Sequence, residues 1–275
     1  MRSSRMNAPS SHGWLCVVLH DVTPANWAAC TRVLRVLRAI ERDAGVTLPL
    51  TLLVAPQLDG EHVAQRHYLS GLQRLQLEGH ELALQPPHRH ASGASPGGWV
   101  ERLPNGDDGP HDRGRGEAAA HALQPARAHL ALGQTWAHRQ RLAMRGFVAP
   151  FWRLGDDTRQ AVLDAGFDYV CTRRHIVALP GGQALSAPSL SFSTHSAWHR
   201  GLSMLWTLAR AWLYSDAPLL RIDLRPHDAD HAALRRCWAG LLATALRERR
   251  PLHLAQAAQR ARARAPAPSL AQVKV

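Results

Sequence analysis

The feature that most limits what this chain can fold into is a repeated alternation near its start. The run WLCVVLH (14–20) is apolar, rich in valine and leucine, and stops abruptly at polar residues, as a strand buried on both faces of a parallel sheet does. Thr23 then supplies a cap and Pro24 a first helical position, and Trp27, Val33, Leu34, Leu37 and Ile40 recur at helical spacing until Gly45. LPLTLLVAP (48–56) repeats the strand pattern, His62 to Leu77 repeats the helix, and HELALQ (80–85) supplies a third strand. Strand, helix, strand, helix, strand is the rhythm of a parallel sheet with right-handed crossovers.

Beyond Gln85 the pattern breaks and then resumes. Residues 86–116 are dense in Gly, Pro, Asp and His without periodicity, which predicts a long loop of the kind that is functional or disordered. Glu117 to Met144 reads as helix, GFVAP (146–150) as strand, Asp156 to Ala165 as a short helix and FDYVCT (167–172) as strand. A hairpin is expected over 175–195 around Gly181-Gly182. Ala197 to Tyr214 reads as an amphipathic helix whose Trp198, Trp206 and Trp212 are expected to pack it against the sheet. LLRIDL (219–224) is a strand, Ala229 to Arg249 a helix and PLHL (251–254) a last short strand. Seven or eight strands alternating with helices suit a complete or distorted (β/α) barrel better than an open nucleotide-binding sheet, and no GxGxxG follows the first strand.

One domain over 14–255 is expected, between a flexible segment 1–13 and an Arg/Ala/Pro-rich tail 256–275 that reads as low-complexity and flexible. An apolar fraction of 45% against 20% charged supports one sizeable core. Cys16, Cys30, Cys171 and Cys237 form no CxxC pair and read as small buried hydrophobes. No apolar run reaches the roughly 18 residues of a membrane span, and the apolar stretch after the N-terminus is too short for a secretory signal, so a cytoplasmic location is expected. The net charge of +12 raises the class of basic nucleic-acid-binding proteins. Lys274 is the only lysine, however, and the arginines are dispersed through an alanine-rich chain. A specific nucleic-acid partner is therefore not expected, since phosphate-binding surfaces are usually clustered patches.

In parallel α/β folds, residues just past the carboxyl ends of strands converge on one face. Here they are His20 and Asp21; Gln85, His88 and His90; Pro150, Phe151 and Trp152; and Arg225, His227, Asp228, Asp230 and His231. Imidazoles and a carboxylate on one rim suit Zn²⁺, Mn²⁺, Fe²⁺ or Co²⁺. Seventeen histidines also guarantee accidental clusters, and a surface histidine is more often a solvated polar group than a ligand. Asp228 and Asp230 read equally well as helix caps. A Ser-His-Asp triad is rejected because no GxSxG elbow exists.

The blocks VVLHDVTP (17–24), TLLVAP (51–56), GHELAL (79–84), RGFVAPFW (145–152), AGFDYVCT (165–172) and LRIDLRPHDADH (220–231) together resemble the polysaccharide-deacetylase-like (NodB-homology) superfamily. Within it they are similar to the uncharacterised branch whose first strand ends in His-Asp-Val-Thr/Ser-Pro. The resemblance implies a distorted (β/α)7 barrel and metal-dependent hydrolysis of an N-acetyl or related acyl group on a carbohydrate. Asp21 matches the family's metal-binding Asp, and His20 stands where a second Asp is the general base. The family's His-x3-His motif reads Gln85-Pro-Pro-His88-Arg89-His90, which makes Asp21, His88 and His90 the implied metal set. Val148 occupies an Arg position, and Leu224-Arg225-Pro226 replaces Leu-His-Pro, so Arg225 becomes the implied oxyanion partner. Pro150, Phe151, Trp152 and His227 are the implied substrate contacts, with the Trp152 indole suited to stacking on a sugar ring. Two readings stay open: a remodelled active site, or a non-catalytic pocket acting as a binding scaffold on a retained fold.

Overall fold

A computed structural model describes residues 13–56, 62–85, 127, 130–148, 156–192 and 197–264. In chain order the elements are β1 (Trp14–Val22), α1 (Trp27–Ala44), β2 (Leu50–Val54), α2 (His62–Leu77), β3 (Glu81–Leu84), α3 (130–139), β4 (Met144–Val148), α4 (Asp156–Asp164), β5 (Tyr169–Cys171), β6 (His175–Ala178), β7 (Ala184–Ser186), β8 (Ser189–Ser191), α5 (Ala197–Leu213), β9 (Leu219–Leu224), α6 (Ala232–Glu248), β10 (Arg250–Pro251) and α7 (Leu254–Arg264). No helix among the described residues is long and apolar enough to cross a membrane.

The expected parallel sheet is present, with β1 paired between β2 and β9. β9 runs parallel to β1 from Trp14↔Leu219 to Leu19↔Leu224, and β2, β3, β4 and β5 follow on the other side, all parallel. The glycine loop 181–182 does close an antiparallel hairpin, β6 with β7, but β8 departs from it and pairs parallel with β9. Only Ala187 and Pro188 separate the edge strands β7 and β8. The Ala187 N–H donates to the Arg174 carbonyl, and the Pro188 carbonyl accepts from the Arg221 N–H. One short stretch thus bonds to both ends of the sheet, which forces the sheet to curl on itself.

The curl sorts side chains by the strand period of two. Leu15, Val17 and Leu19 of β1, with Leu220, Ile222 and Leu224 of β9, face the helices and pack with Val33, Leu37, Tyr68, Trp238 and Leu242. The alternate residues Cys16, Val18, Leu53, Ala83, Tyr169 and Cys171 form a second core inside the curl. A Cβ on Gly146 would collide with the Tyr169 ring, so β4 and β5 come together only because that position is glycine.

Two boundaries differ from expectation. Arg141 takes a left-handed conformation (φ 55°), and the Leu142 N–H turns back to the Ala137 carbonyl, so α3 ends before the strand that begins at Met144. The larger correction concerns the expected tail. Residues 254–264 are helical, and Leu254, Ala257, Ala258 and Ala261 are buried at i, i+3, i+4 and i+7 against the inner core; residues 265–275 lie outside the described set. The Leu254 N–H donates to Thr51 Oγ1 and the Ala255 N–H to the Glu81 carboxylate, each at 3.0 Å. A buried carboxylate at the start of β3 therefore satisfies the open N-terminus of α7, with Thr51 Oγ1 and His253 Nδ1 at 3.0 and 3.2 Å.

Replacing Glu81 by Ala strips α7 of this seat. Urea denaturation is expected to register a loss of about 3 kcal/mol. The exposed pair Arg74–Glu78 is the control, and Arg74→Ala should stay within about 0.5 kcal/mol of the parent. Equal effects would show that Glu81 does not hold the helix.

Candidate functional site

The described rim residues converge as the parallel topology requires. The register Leu19↔Leu224 sets His20 level with Arg225 on adjacent strands, and the Gln85 N–H bonds the Val54 carbonyl at the end of β2. His20 and Asp21 stand where the β1–β2 register shifts, a bulge of the sort that re-aims side chains at barrel rims. Asp21 has φ 52°, a conformation that costs a non-glycine residue strain and persists only where its surroundings hold it. Gln85 holds it from two sides: the Asp21 N–H donates to Gln85 Oε1 at 3.1 Å, and Gln85 Nε2 donates to Asp21 Oδ1 at 2.9 Å. Asn26 Nδ2 adds a bond to the Asp21 carbonyl at 3.3 Å.

Beneath this layer, on the inner face of β9, lies a buried charge relay that sequence reading missed. Arg221 is fully buried and Asp223 nearly so. Arg221 Nε sits 2.9 Å from Asp223 Oδ1, while its Nη atoms donate to the carbonyls of Thr172 and Arg173, each at 3.1 Å. His20 Nε2 stands 3.5 Å from Asp223 Oδ1, and the Ser189 hydroxyl donates to Asp223 Oδ2. Burial opposes the ionisation of Asp223, but the Arg221 guanidinium, with help from His20 and Ser189, outweighs it and holds the carboxyl well below the usual range. Burial likewise works against the Arg221 charge, and Asp223 restores it. The neighbouring Cys171 thiol is pushed up to about 11, mainly by burial, and is inert as a nucleophile at neutral pH.

Past β9 the chain makes a short 3₁₀ turn, Pro226–Ala229. Asp228 is fully buried there; its Oδ2 accepts the Arg225 N–H at 2.8 Å, and its Oδ1 has no hydrogen-bond partner among the described residues. Burial raises this carboxyl to about 6 against the pull of the Arg225 N–H, Arg225, His20 and His227. It acts as the cap of the turn, as its place before a helix suggested. His227 is exposed and engages Asp230 at 2.9 Å, which also takes Arg32 of α1 at 2.6 Å. His227 is thus tied to a surface network rather than to the His20 layer. Val148 is buried at the end of β4. His88, His90, Pro150, Phe151 and Trp152 lie outside the described residues.

Of the implied metal set only Asp21 lies among the described residues. No group of three His, Cys, Asp or Glu side chains among the described residues is close enough to hold one. Asp21 is the one carboxylate at the implied metal position, and its Oδ1 already accepts from Gln85. The Gln85 carbonyl oxygen, the atom with which an amide ligates, is engaged by the Asp21 N–H, and its amide nitrogen faces the carboxylate.

The overall fold has a solved counterpart. A structure described as "Crystal structure of putative polysaccharide deacetylase from Mycobacterium smegmatis" superposes with a TM-score of 0.60 at 14% sequence identity, covering 98% of both chains. At that identity the likeness establishes a shared α/β fold with a curled sheet. No protein-family model and no curated protein sequence matches the chain.

The raised Asp228 carboxyl has a consequence for stability. The folded state binds this proton more tightly than the unfolded chain, so rising pH withdraws stability between about pH 4 and pH 6. Asp228→Asn keeps an acceptor for the Arg225 N–H but carries no charge. Its stability relative to the parent should rise by on the order of 2 kcal/mol across that window and level off above it. A difference curve that is flat from pH 4 to 7 would contradict the assignment.

Proposed function

We propose that the chain is a hydrolase of the polysaccharide-deacetylase type, built on a distorted (β/α)7 barrel, that removes an acetyl or related acyl group from a saccharide or similar polar substrate. The observation that carries this reading is His20, near the carboxyl end of β1, with its Nε2 3.5 Å from the buried Asp223 carboxylate that Arg221 keeps ionised. A histidine backed by a buried, firmly ionised carboxylate is the arrangement that orients a general base and stabilises its imidazolium. The fold likeness to the mycobacterial protein adds the reaction class to that geometry.

In this reading His20 takes a proton from water as the water oxygen attacks the acyl carbon. Arg225, level with His20 on the next strand, meets the negative charge that develops on the carbonyl oxygen. The bond from the acyl carbon to nitrogen or oxygen then breaks, His20 returns the proton to the leaving atom, and the products are a carboxylate and the deacylated substrate. Asp223 keeps its charge throughout and only positions His20. Gln85 and Asn26 hold the strained Asp21 backbone and so fix the neighbouring His20.

A second reading rests on one observation. Gln85 stands where the family resemblance expects a histidine and donates to Asp21 Oδ1, one oxygen of the carboxylate assigned to metal binding, which supports a pocket that binds a saccharide without turning it over.

Acetate release from a panel of acetylated mono- and oligosaccharides separates the two. The parent should release acetate, and His20→Asn should lower the rate by about 10²- to 10⁴-fold while its melting temperature holds. Turnover by His20→Asn at the parent's rate would sink the relay as the catalytic base. Saturable saccharide binding without acetate release would establish the second reading.

A further inference from the structure

Helix α5 turns a second apolar face outward. Leu205, Trp206, Leu208, Trp212 and Leu213 are 47–80% exposed and, with the exposed Ala209, fill one continuous outward arc. Among its described side chains the one fully buried is Thr207, whose hydroxyl donates to the Ser191 carbonyl at 3.0 Å, with Met204 and Ala211 partly buried against the core. Nor is the helix loosely attached. The Arg249 guanidinium clamps its C-terminal end, with Nη2 donating to the carbonyls of Tyr214 and Ser215 and Nη1 to that of Ala217. A rigidly held helix that presents two tryptophans and three leucines to solvent is an interaction surface, not a packing fault.

We infer that this face is the two-fold interface of a homodimer, with α5 of one copy laid across α5 of the other. Three observations select a second copy as the occupant. The five side chains expose on the order of 700 Å² of apolar surface, close to the roughly 800 Å² that each partner contributes to a standard interface. The face is also self-complementary in shape. On one flank α5 and α6 leave an apolar groove of about 870 Å³ lined by Met204, Leu208, Ala211, Cys237, Gly240 and Leu241. On the other flank, roughly 150° around the helix from Leu208, Trp206 and Leu213 project as knobs. A two-fold axis brings the knobs of each copy over the groove of the other, as an isologous contact requires.

Charge is the third observation. Arg236 and Glu248 both line the groove, and Asp216 follows the helix end. A rim of both signs can meet itself across a two-fold axis with opposite charges paired. A helix that lies on an anionic lipid surface instead carries a cationic polar face, and the polar face of α5 is turned into the protein at Thr207.

Sedimentation velocity of the full chain from about 1 to 100 µM tests the proposal, with Trp212→Glu and Leu205→Glu beside the parent. The parent should sediment as a dimer over most of this range. Each variant should weaken dimerisation by about 100-fold or more, the scale of a central tryptophan anchor, while thermal melting stays near the parent's. If either variant fails to fold, Trp206→Gln and Leu213→Asn carry the same expectation from the opposite flank. A parent that is monomeric at 100 µM overturns the proposal, whether or not it floats with phosphatidylglycerol vesicles. So does a dimer whose affinity none of these substitutions changes.

Discussion

The Arg221–Asp223 pair is the constraint on which the rim depends. Two opposite charges at i and i+2 of one strand point the same way, and in β9 that way is into the closed interior of the curled sheet. Neither charge is tolerable there alone, because an unpaired buried ion costs several kcal/mol. Together they form an ion pair in which Asp223 Oδ2 accepts from Arg221 Nε and the Ser189 hydroxyl, while the Arg221 Nη atoms bond the carbonyls of Thr172 and Arg173. The network also ties β9 to the β5 end and to β8, the strands between which the sheet curls, and it presents one ionised carboxylate edge to His20. A structural device for burying charge and a chemical device for orienting an imidazole are thus the same set of atoms.

The interior of the curled sheet sorts its polar groups by height. At the amino ends of the strands Glu81 and Thr51 receive the N-terminus of α7, which closes that end and bears on folding. Above them small and apolar residues, Val18, Ala83 and Cys171, fill the middle with the Arg221 stem. At the carboxyl ends stand His20, Asp21, Gln85 and Arg225.

The strand–helix alternation was legible because strands buried on both faces are written as short apolar runs, and β1, β2 and β3 fall where those runs do. The rim positions of His20, Asp21, Gln85 and Arg225 followed from the same rhythm. Arg221 and Asp223 were not recognised because LLRIDL was read for its apolar majority. The signal was present: opposite charges two apart in a strand buried on both faces must pair inward. Helix α7 was lost for a related reason. Its stripe of Leu254, Ala257, Ala258 and Ala261 has helical period, but alanine is a weak marker of burial, and the interleaved arginines made the segment look like a basic tail. Alanine serves there because a helix that seals the end of a narrow curl must approach its backbone closely.

Helix α5 was misread in the opposite direction, and the reason is informative about amphipathicity itself. Periodicity reports that a helix has an apolar face; it does not say whether that face meets the same chain or another one. The tryptophans at 206 and 212 were expected to pack against the sheet, yet they face outward. What distinguishes the two cases in sequence is the composition of the other face. A helix docked on its own core shows charges on the side away from it, whereas the arc opposite Leu205 and Trp212 in α5 carries Ser203, Thr207 and Arg210, small or capping groups able to bond a sheet edge and a helix end. An apolar arc whose opposite side is taken up with bonds such as Thr207 to Ser191 and Arg210 to Tyr214 therefore has two neighbours to satisfy, and only one of them is this chain's own sheet.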